Sequence, residues 1–161
     1  MVKHKAAACL VRTGARGPEL LVFRHPLAGI QIPEGSIEPE EQAADAAVRE
    51  LAEESGVRGA RVLRQIGQHE IARDESDAEH VACEVWHTFL LAAREGLPDR
   101  WSHRASGSEA EARLVFEFFW LSIADARAAT APRYHTSIDF AAAAMGTDAL
   151  AAPSAERDHS R

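Results

Sequence analysis

Glu50, Glu53 and Glu54 are spaced so that one helix would bring three carboxylates together from adjacent turns, with Arg49 immediately before the first of them. Hard divalent cations such as Mg²⁺ and Mn²⁺ take oxygen ligands of this kind and keep waters that a substrate phosphate can replace. As ordinary surface chemistry the arrangement is poor. Glu50 is followed four residues on by Glu54, a like-charge pair that costs about 0.2–0.5 kcal/mol. Glu53 and Glu54 occupy the last helical turn, where the dipole disfavours negative charge by about 0.3–1 kcal/mol per group. At helical spacing Arg49 reaches Glu53 alone. The pattern asks for a cation; the competing reading is a charged helix whose acids face water.

The helix that has to position these groups is predicted from Pro39 to about Ser55. Pro39 has the backbone angle of a first helical residue, Glu40 and Glu41 suit the positive end of the dipole, and Gly56 supplies the stop. At 3.6 residues per turn, Ala44, Ala47, Val48, Leu51 and Ser55 form the stripe that packs on a core, with the three acids on its flank.

The segment from Gly35 to Val57 resembles the Nudix box: Gly, five residues, Glu, seven residues, Arg-Glu-apolar, one residue, Glu-Glu, one residue, Gly-apolar. It is met at Gly35, Glu41, Arg49, Glu50, Leu51, Glu53, Glu54, Gly56 and Val57, and covers 23 of the 161 residues. The resemblance implies an α/β fold, an α/β/α sandwich around a central mixed β-sheet. It also implies divalent-metal-dependent hydrolysis of a phosphoanhydride bond in a nucleoside diphosphate linked to another moiety. On this sequence the implied metal ligands are Glu50, Glu53 and Glu54, joined by the backbone carbonyl of Glu34; the implied catalytic pair is Glu53, the in-box base, and Arg49, which orients it. Gly35, Glu41 and Gly56 are the structural members of the motif.

Outside the box, the resemblance adds a distal base or ligand from the loop before the last strand, where Glu109 and Glu111 stand. Arg24 and His25 precede the box loop and are candidates for substrate phosphate. Trp101, flanked by Arg100, His103 and Arg104, is the candidate stacking surface, whereas Trp86 and Trp120 read as core. Glu117, inside an aromatic run, either faces water or has a partner. Where many relatives carry a second Gly or a Lys, this chain has Glu34, which cannot contact phosphate without a metal. Dinucleoside polyphosphates, nucleotide sugars, modified nucleotides and inositol pyrophosphates all stay open as substrates. Two rival functions keep the same fold: a non-catalytic module that senses a nucleotide or nucleotide sugar and regulates a partner, and a helix that holds a structural cation.

A chain of 161 residues, 46% apolar, can bury one substantial core, so residues 1–150 are expected to form one domain and 151–161 a mobile tail. The formal charge of −7 argues against a nucleic-acid polymer as partner. A small-molecule diphosphate is the expected partner, with no membrane, and a homodimer is a candidate assembly. Cys9 and Cys83 lie in apolar runs and read as buried thiols; with no secretory or membrane-spanning segment, the expected location is cytoplasmic.

The remaining elements follow from hydropathy. Strands are predicted over Lys5–Arg12 and Glu19–Arg24, as a hairpin through Thr13–Pro18, and over Ala60–Glu70, Val81–Ala93 and Arg113–Leu121. His25–Glu34 and Leu97–Ala112 read as irregular, and Ala72–Glu79 as an acidic loop. Ile123–Ala129 reads as a short helix, with a further turn or two over Asp139–Met145.

Overall fold

The computed structural model describes residues 1–74 and 82–151, with side chains through residue 146. Strand β1 (Val2–Gly14) is the spine of the sheet. Its run from Ala6 to Leu10 is completely buried, as a strand covered on both faces requires. Ala6, Ala8 and Leu10 enter the core on one side, and Ala7, Cys9 and Val11 the core on the other. β1 returns through Ala15 and Arg16 as β2 (Gly17–His25), the antiparallel hairpin that the sequence predicts.

The chain continues through β3 (Gly29–Gln31), β4 (Glu34–Ser36), helix α1 (Ala43–Ser55), β5 (Arg61–Ala72), β6 (Cys83–Ala92), β7 (Arg100–Arg104) and β8 (Val115–Ser122). It closes with α2 (Ile123–Ala129), a 3-10 turn at Pro132–Tyr134 and α3 (His135–Ala151). The strand order is β5-β6-β1-β2-β8-β7, with β3 beside β2 and β4 beside β1. β1 and β6 run parallel and the other named pairs antiparallel, so the sheet is mixed. Ala46, Ala47 and Leu51 of α1 pack on one face with Phe23, Phe116 and Phe118. Ala126 of α2 and Ile138, Ala141 and Ala144 of α3 pack on the other with Trp86 and Leu90. The α/β sandwich expected from the box is therefore the observed architecture. Among the described residues no helix is long and apolar enough to cross a membrane.

Several expectations need correction. α1 begins at Ala43, not Pro39. Glu40 has a left-handed φ of 66°, and the Glu41 N–H bonds back to the Glu38 carbonyl at 3.1 Å, which makes a turn of the predicted first helical residues. β3 lies within the stretch read as a loop over His25–Glu34, and β7 within the irregular stretch Leu97–Ala112. β7 was hidden because its alternation is carried by Trp101 and His103, half-buried between exposed Arg100, Ser102 and Arg104. α3 starts four residues before Asp139 and is much longer than the turn or two expected. Cys83 is only half-buried, although Cys9 is buried as read; both are free thiols. Glu117 faces solvent. Most of the predicted acidic loop and the tail from residue 152 lie outside the described residues.

Gly67, at an irregularity in the β5–β6 pairing, gives α3 its seat on the sheet edge, because a Cβ there would overlap the Phe140 ring. Gly67→Ala is predicted to destabilise the fold by about 1–3 kcal/mol through overpacking. Chemical denaturation should show that loss, with Phe140→Leu in the same chain recovering part of it; an unchanged midpoint would mean that α3 shifts at no cost.

Candidate active site

The site is built where the C-terminal half of α1 meets β4 and the loop between β7 and β8. Gly56 ends the helix with φ 77°, its N–H donating to the Ala52 carbonyl at 2.9 Å. This is the left-handed stop that glycine adopts without penalty. Two carbonyls of the last turn find partners outside the helix. Glu53 O accepts from the Ser106 N–H at 3.0 Å, and Ser55 O from the Trp101 indole N–H at 2.8 Å. The β7–β8 loop is thereby tied to the acidic end of α1.

Arg49 organises the acids. Its Nε donates to Glu41 Oε1 at 2.8 Å, Nη2 to Glu41 Oε2 at 3.0 Å and to Ser36 O at 2.9 Å, and Nη1 to Glu50 Oε1 at 2.7 Å and Glu53 Oε2 at 3.2 Å. The expectation that Arg49 reaches Glu53 alone is thus corrected. Helical spacing counts partners on one cylinder, whereas Glu41 approaches from the turn before the helix and a long guanidinium folds back onto its own neighbour Glu50. The hydrogen bond from Arg49 draws the Glu41 carboxyl below its ordinary range, and Glu41 in turn drives the Arg49 value up.

Glu50 and Glu54 lie under the opposite influence. Burial is the main cause that raises Glu50, with Arg49 opposing it. Glu54 is only 7% exposed, and burial, then the negative charges of Glu34, Glu50 and Glu111, push it well above the usual carboxylate range. A hydrogen bond from the Glu34 main chain acts the other way. Glu54 Oε2 is buried without a hydrogen-bond partner. The stripe read from sequence placed Glu54 on the flank; the structure turns it inward.

A cleft of about 480 Å³ collects these groups: Glu34, Glu50, Glu53, Glu54 and Glu111, with Arg49, Lys3 and Lys5. Glycines give the carboxylates room. A Cβ on Gly35 would overlap the Glu50 carboxylate, and one on Gly107 the Glu53 carboxylate. Of the two distal acids, Glu111 lines the cleft while Glu109 does not. Lys5 Nζ stands 2.6 Å from Glu34 Oε2, each side chain 12% exposed, so the unusual loop glutamate is matched by a lysine from β1 that sequence reasoning did not single out. Adjacency across the β1–β4 pairing is the only signal of it, and that pairing is not readable from spacing.

Three other predicted substrate contacts stand apart from the cleft. Trp101 stacks one face on Phe118 at 5.3 Å and donates its N–H to Ser55 O, which ties it to the end of α1. Arg24 is exposed, between Glu117 and Ile30 in the neighbouring strands. His25 Nδ1 accepts from the Leu27 and Ala28 N–H groups at 3.0 and 3.1 Å, which holds the β2–β3 turn.

The model of the NUDIX domain matches residues 2–140. This chain belongs to the Nudix family. It is similar to diphosphoinositol polyphosphate phosphohydrolase 3-beta of Bos taurus, 37% identical over 98 residues that cover 59% of this chain and 54% of that protein. The Nudix chain thus spans about half the length of the curated relatives it matches. In fold it is similar to the C. elegans Ap4A hydrolase in a binary complex, with a TM-score of 0.65 at 15% identity, covering 90% of this chain and 98% of that one. It is likewise similar to the NUDIX domain of Shewanella oneidensis NrtR complexed with ADP ribose, with a TM-score of 0.63 at 16% identity, covering 89% and 88%.

The donors of this Nudix site are oxygen only, and Glu54 Oε2 is buried with neither a hydrogen bond nor an ion pair among the described residues, which suits a hard divalent ion. Among the described residues no three His, Cys, Asp or Glu side chains converge on one point. Arg49 holds Glu50 and Glu53 on its own side, so an ion shared with Glu54 requires those carboxylates to turn.

A carboxylic acid whose folded value is raised costs nothing below about pH 4, where it is protonated folded and unfolded alike, and its penalty grows as the pH rises. Glu54→Gln is therefore predicted to stabilise the metal-free protein at pH 7 by on the order of 1 kcal/mol, about 2–4 °C in the midpoint. Thermal melts in a chelator from pH 4 to 8 should show the gain fading toward the acid end. A lower midpoint for the variant at pH 7 would contradict the burial of an uncompensated charge.

Proposed function

We propose that this chain hydrolyses a phosphoanhydride bond of a small-molecule diphosphate, with water attacking one phosphorus in the cleft between α1 and the β7–β8 loop. The observation that carries this reading is the gathering of Glu50, Glu53, Glu54 and Glu111 on one cleft, with Arg49 bracing the first two. The names of the curated relatives, diphosphoinositol polyphosphate phosphohydrolases, support the same bond type.

Glu50, Glu53 and Glu54 would hold Mg²⁺ or Mn²⁺. When bound, such an ion neutralises the diphosphate oxygens and lowers the pKa of a water. Glu53 is the residue assigned to take the proton of the attacking water, because its side chain is 28% exposed against 14% for Glu50, and Glu54 is buried. A base has to reach its proton directly or through one water. Arg49 is a positioning residue: it fixes Glu53 and Glu50 through its N–H groups and transfers no proton. Glu111 is the second acid within reach of the cleft, and its loop is held to α1 through Ser106 and Glu53 O. Two free cysteines fit a reducing, cytoplasmic setting.

Glu53→Gln keeps the volume and the Arg49 contact but removes the basic oxygen. Turnover of a diphosphate substrate with Mg²⁺ is predicted to fall by about 10²–10⁴-fold, with the thermal midpoint held to within a few degrees. Unchanged turnover would remove Glu53 from the reaction. Tight diphosphate binding by the native chain with no metal-dependent cleavage would replace the hydrolase reading with the sensing one.

A further inference from the structure

We propose that the organic group of the substrate is uncharged and has an apolar face, and that it lies in a slot opening from the acidic cleft between the start of β1 and the approach to α1; this rests on the hydrolase reading above. The slot has a volume of about 870 Å³ and an aliphatic wall made by Val2, Ile37, Pro39 and Ala43. It adjoins the cleft, with Lys3, Ser36 and Glu38 lining both. Its apolar surface is open to a ligand: Met1 and Val2, 76% and 54% exposed, are two of the five large apolar side chains most exposed among the described residues, and both border this slot. An exposed apolar surface beside convergent polar groups is the usual form of a small-molecule site.

Charge points the same way. The cleft is lined by six carboxylates, Glu34, Glu38, Glu50, Glu53, Glu54 and Glu111, against three cations, Lys3, Lys5 and Arg49. Arg49 has committed its N–H groups to Glu41, Glu50, Glu53 and Ser36, and Lys5 is paired with Glu34. With the six acids ionised, a divalent ion still leaves the lining net negative, so only the phosphates that the ion itself holds escape repulsion. A ring carrying several further phosphates would set them against Glu38 and an aliphatic wall, which disfavours that class by unpaired like charge. Among the described residues, the aromatic ring that borders the slot is the His4 imidazole, and it is stacked on His87 at 5.4 Å. The wall therefore grips by aliphatic contact more than by stacking, a chemistry that an alkyl group or the sugar and base edge of a nucleoside could supply.

The test uses the full chain with Mg²⁺ and four compounds: geranyl diphosphate, ADP-ribose, a diphosphoinositol polyphosphate and inorganic pyrophosphate. Val2→Glu and Ala43→Glu place a carboxylate on the slot wall, at an exposed strand position and at the first residue of α1, and thermal melts check that both fold. The expected result is a kcat/KM for geranyl diphosphate or ADP-ribose at least 100-fold above that for the inositol compound, the better of the two naming the source. In both variants KM for that substrate should rise at least tenfold with kcat within twofold, and pyrophosphate should be unaffected. Preferred cleavage of the inositol compound, or variants that leave KM unmoved, would overturn the proposal. If no compound is cleaved, the hydrolase reading fails separately. Calorimetric binding of methylene-bridged analogues of geranyl diphosphate and ADP-ribose then decides the slot: a tenfold weaker Kd in both variants upholds it, and equal or absent binding rejects it.

Discussion

The N–H groups of Arg49 meet acceptors that arrive from three parts of the chain: Ser36 O at the end of β4, the Glu41 carboxylate in the turn before α1, and Glu50 and Glu53 on the helix itself. A planar guanidinium can satisfy such a set because its donors form a fixed fork, and the bidentate pair with Glu41 sets the angle from which the rest are reached. Much of the local structure follows. The helix cannot begin at Pro39, because Glu41 has to leave the helical path to reach Arg49. The two glutamates nearest Arg49 are held on one side of the cleft, and the third, Glu54, is left buried with no cation of its own.

The surrounding fold makes that arrangement affordable in space and costly in charge. Alanines at positions 6 and 8 of β1 and 46 and 47 of α1 let the helix lie close on the sheet, so residue 54 is carried into the interior with the same face. Gly35 and Gly107 leave volume for the carboxylates of Glu50 and Glu53. The N–H groups of Trp101 and Ser106 cap the carbonyl end of α1 where no basic side chain stands in the last turn. Geometry is therefore satisfied by the protein alone, whereas an ionised Glu54 is not: burial and the charges of Glu34, Glu50 and Glu111 push its carboxyl toward the protonated form.

Much of this was legible in the residue order. The spacing of Glu50, Glu53 and Glu54, the stop at Gly56, the first hairpin and the long strands are local patterns, and local patterns survive folding. What spacing could not show depends on partners distant in the chain. β7 has too little apolar character to declare itself, and exists because Trp101 stacks on Phe118 and bonds Ser55. The same contacts give Trp101 a structural role away from the acidic cleft, just as His25 holds the turn at Leu27 and Ala28. Glu109 and Glu111 looked equivalent, and the loop geometry brings only Glu111 to the cleft. Lys5 passed unnoticed because its partner Glu34 lies across a strand pairing.

On the function proposed above, Glu54 is a buried carboxyl that exchanges its proton for a divalent cation, with Glu50 and Glu53 turning from Arg49 to join it. Crystals grown with Mn²⁺ and a non-hydrolysable diphosphate, measured for anomalous scattering at the manganese edge, test this most directly. The prediction is an anomalous peak within coordinating distance of carboxylate oxygens from Glu54 and at least one of Glu50 and Glu53. Manganese bound elsewhere, with Glu50 and Glu53 still on Arg49 and the Glu54 oxygen still without a partner, would contradict it.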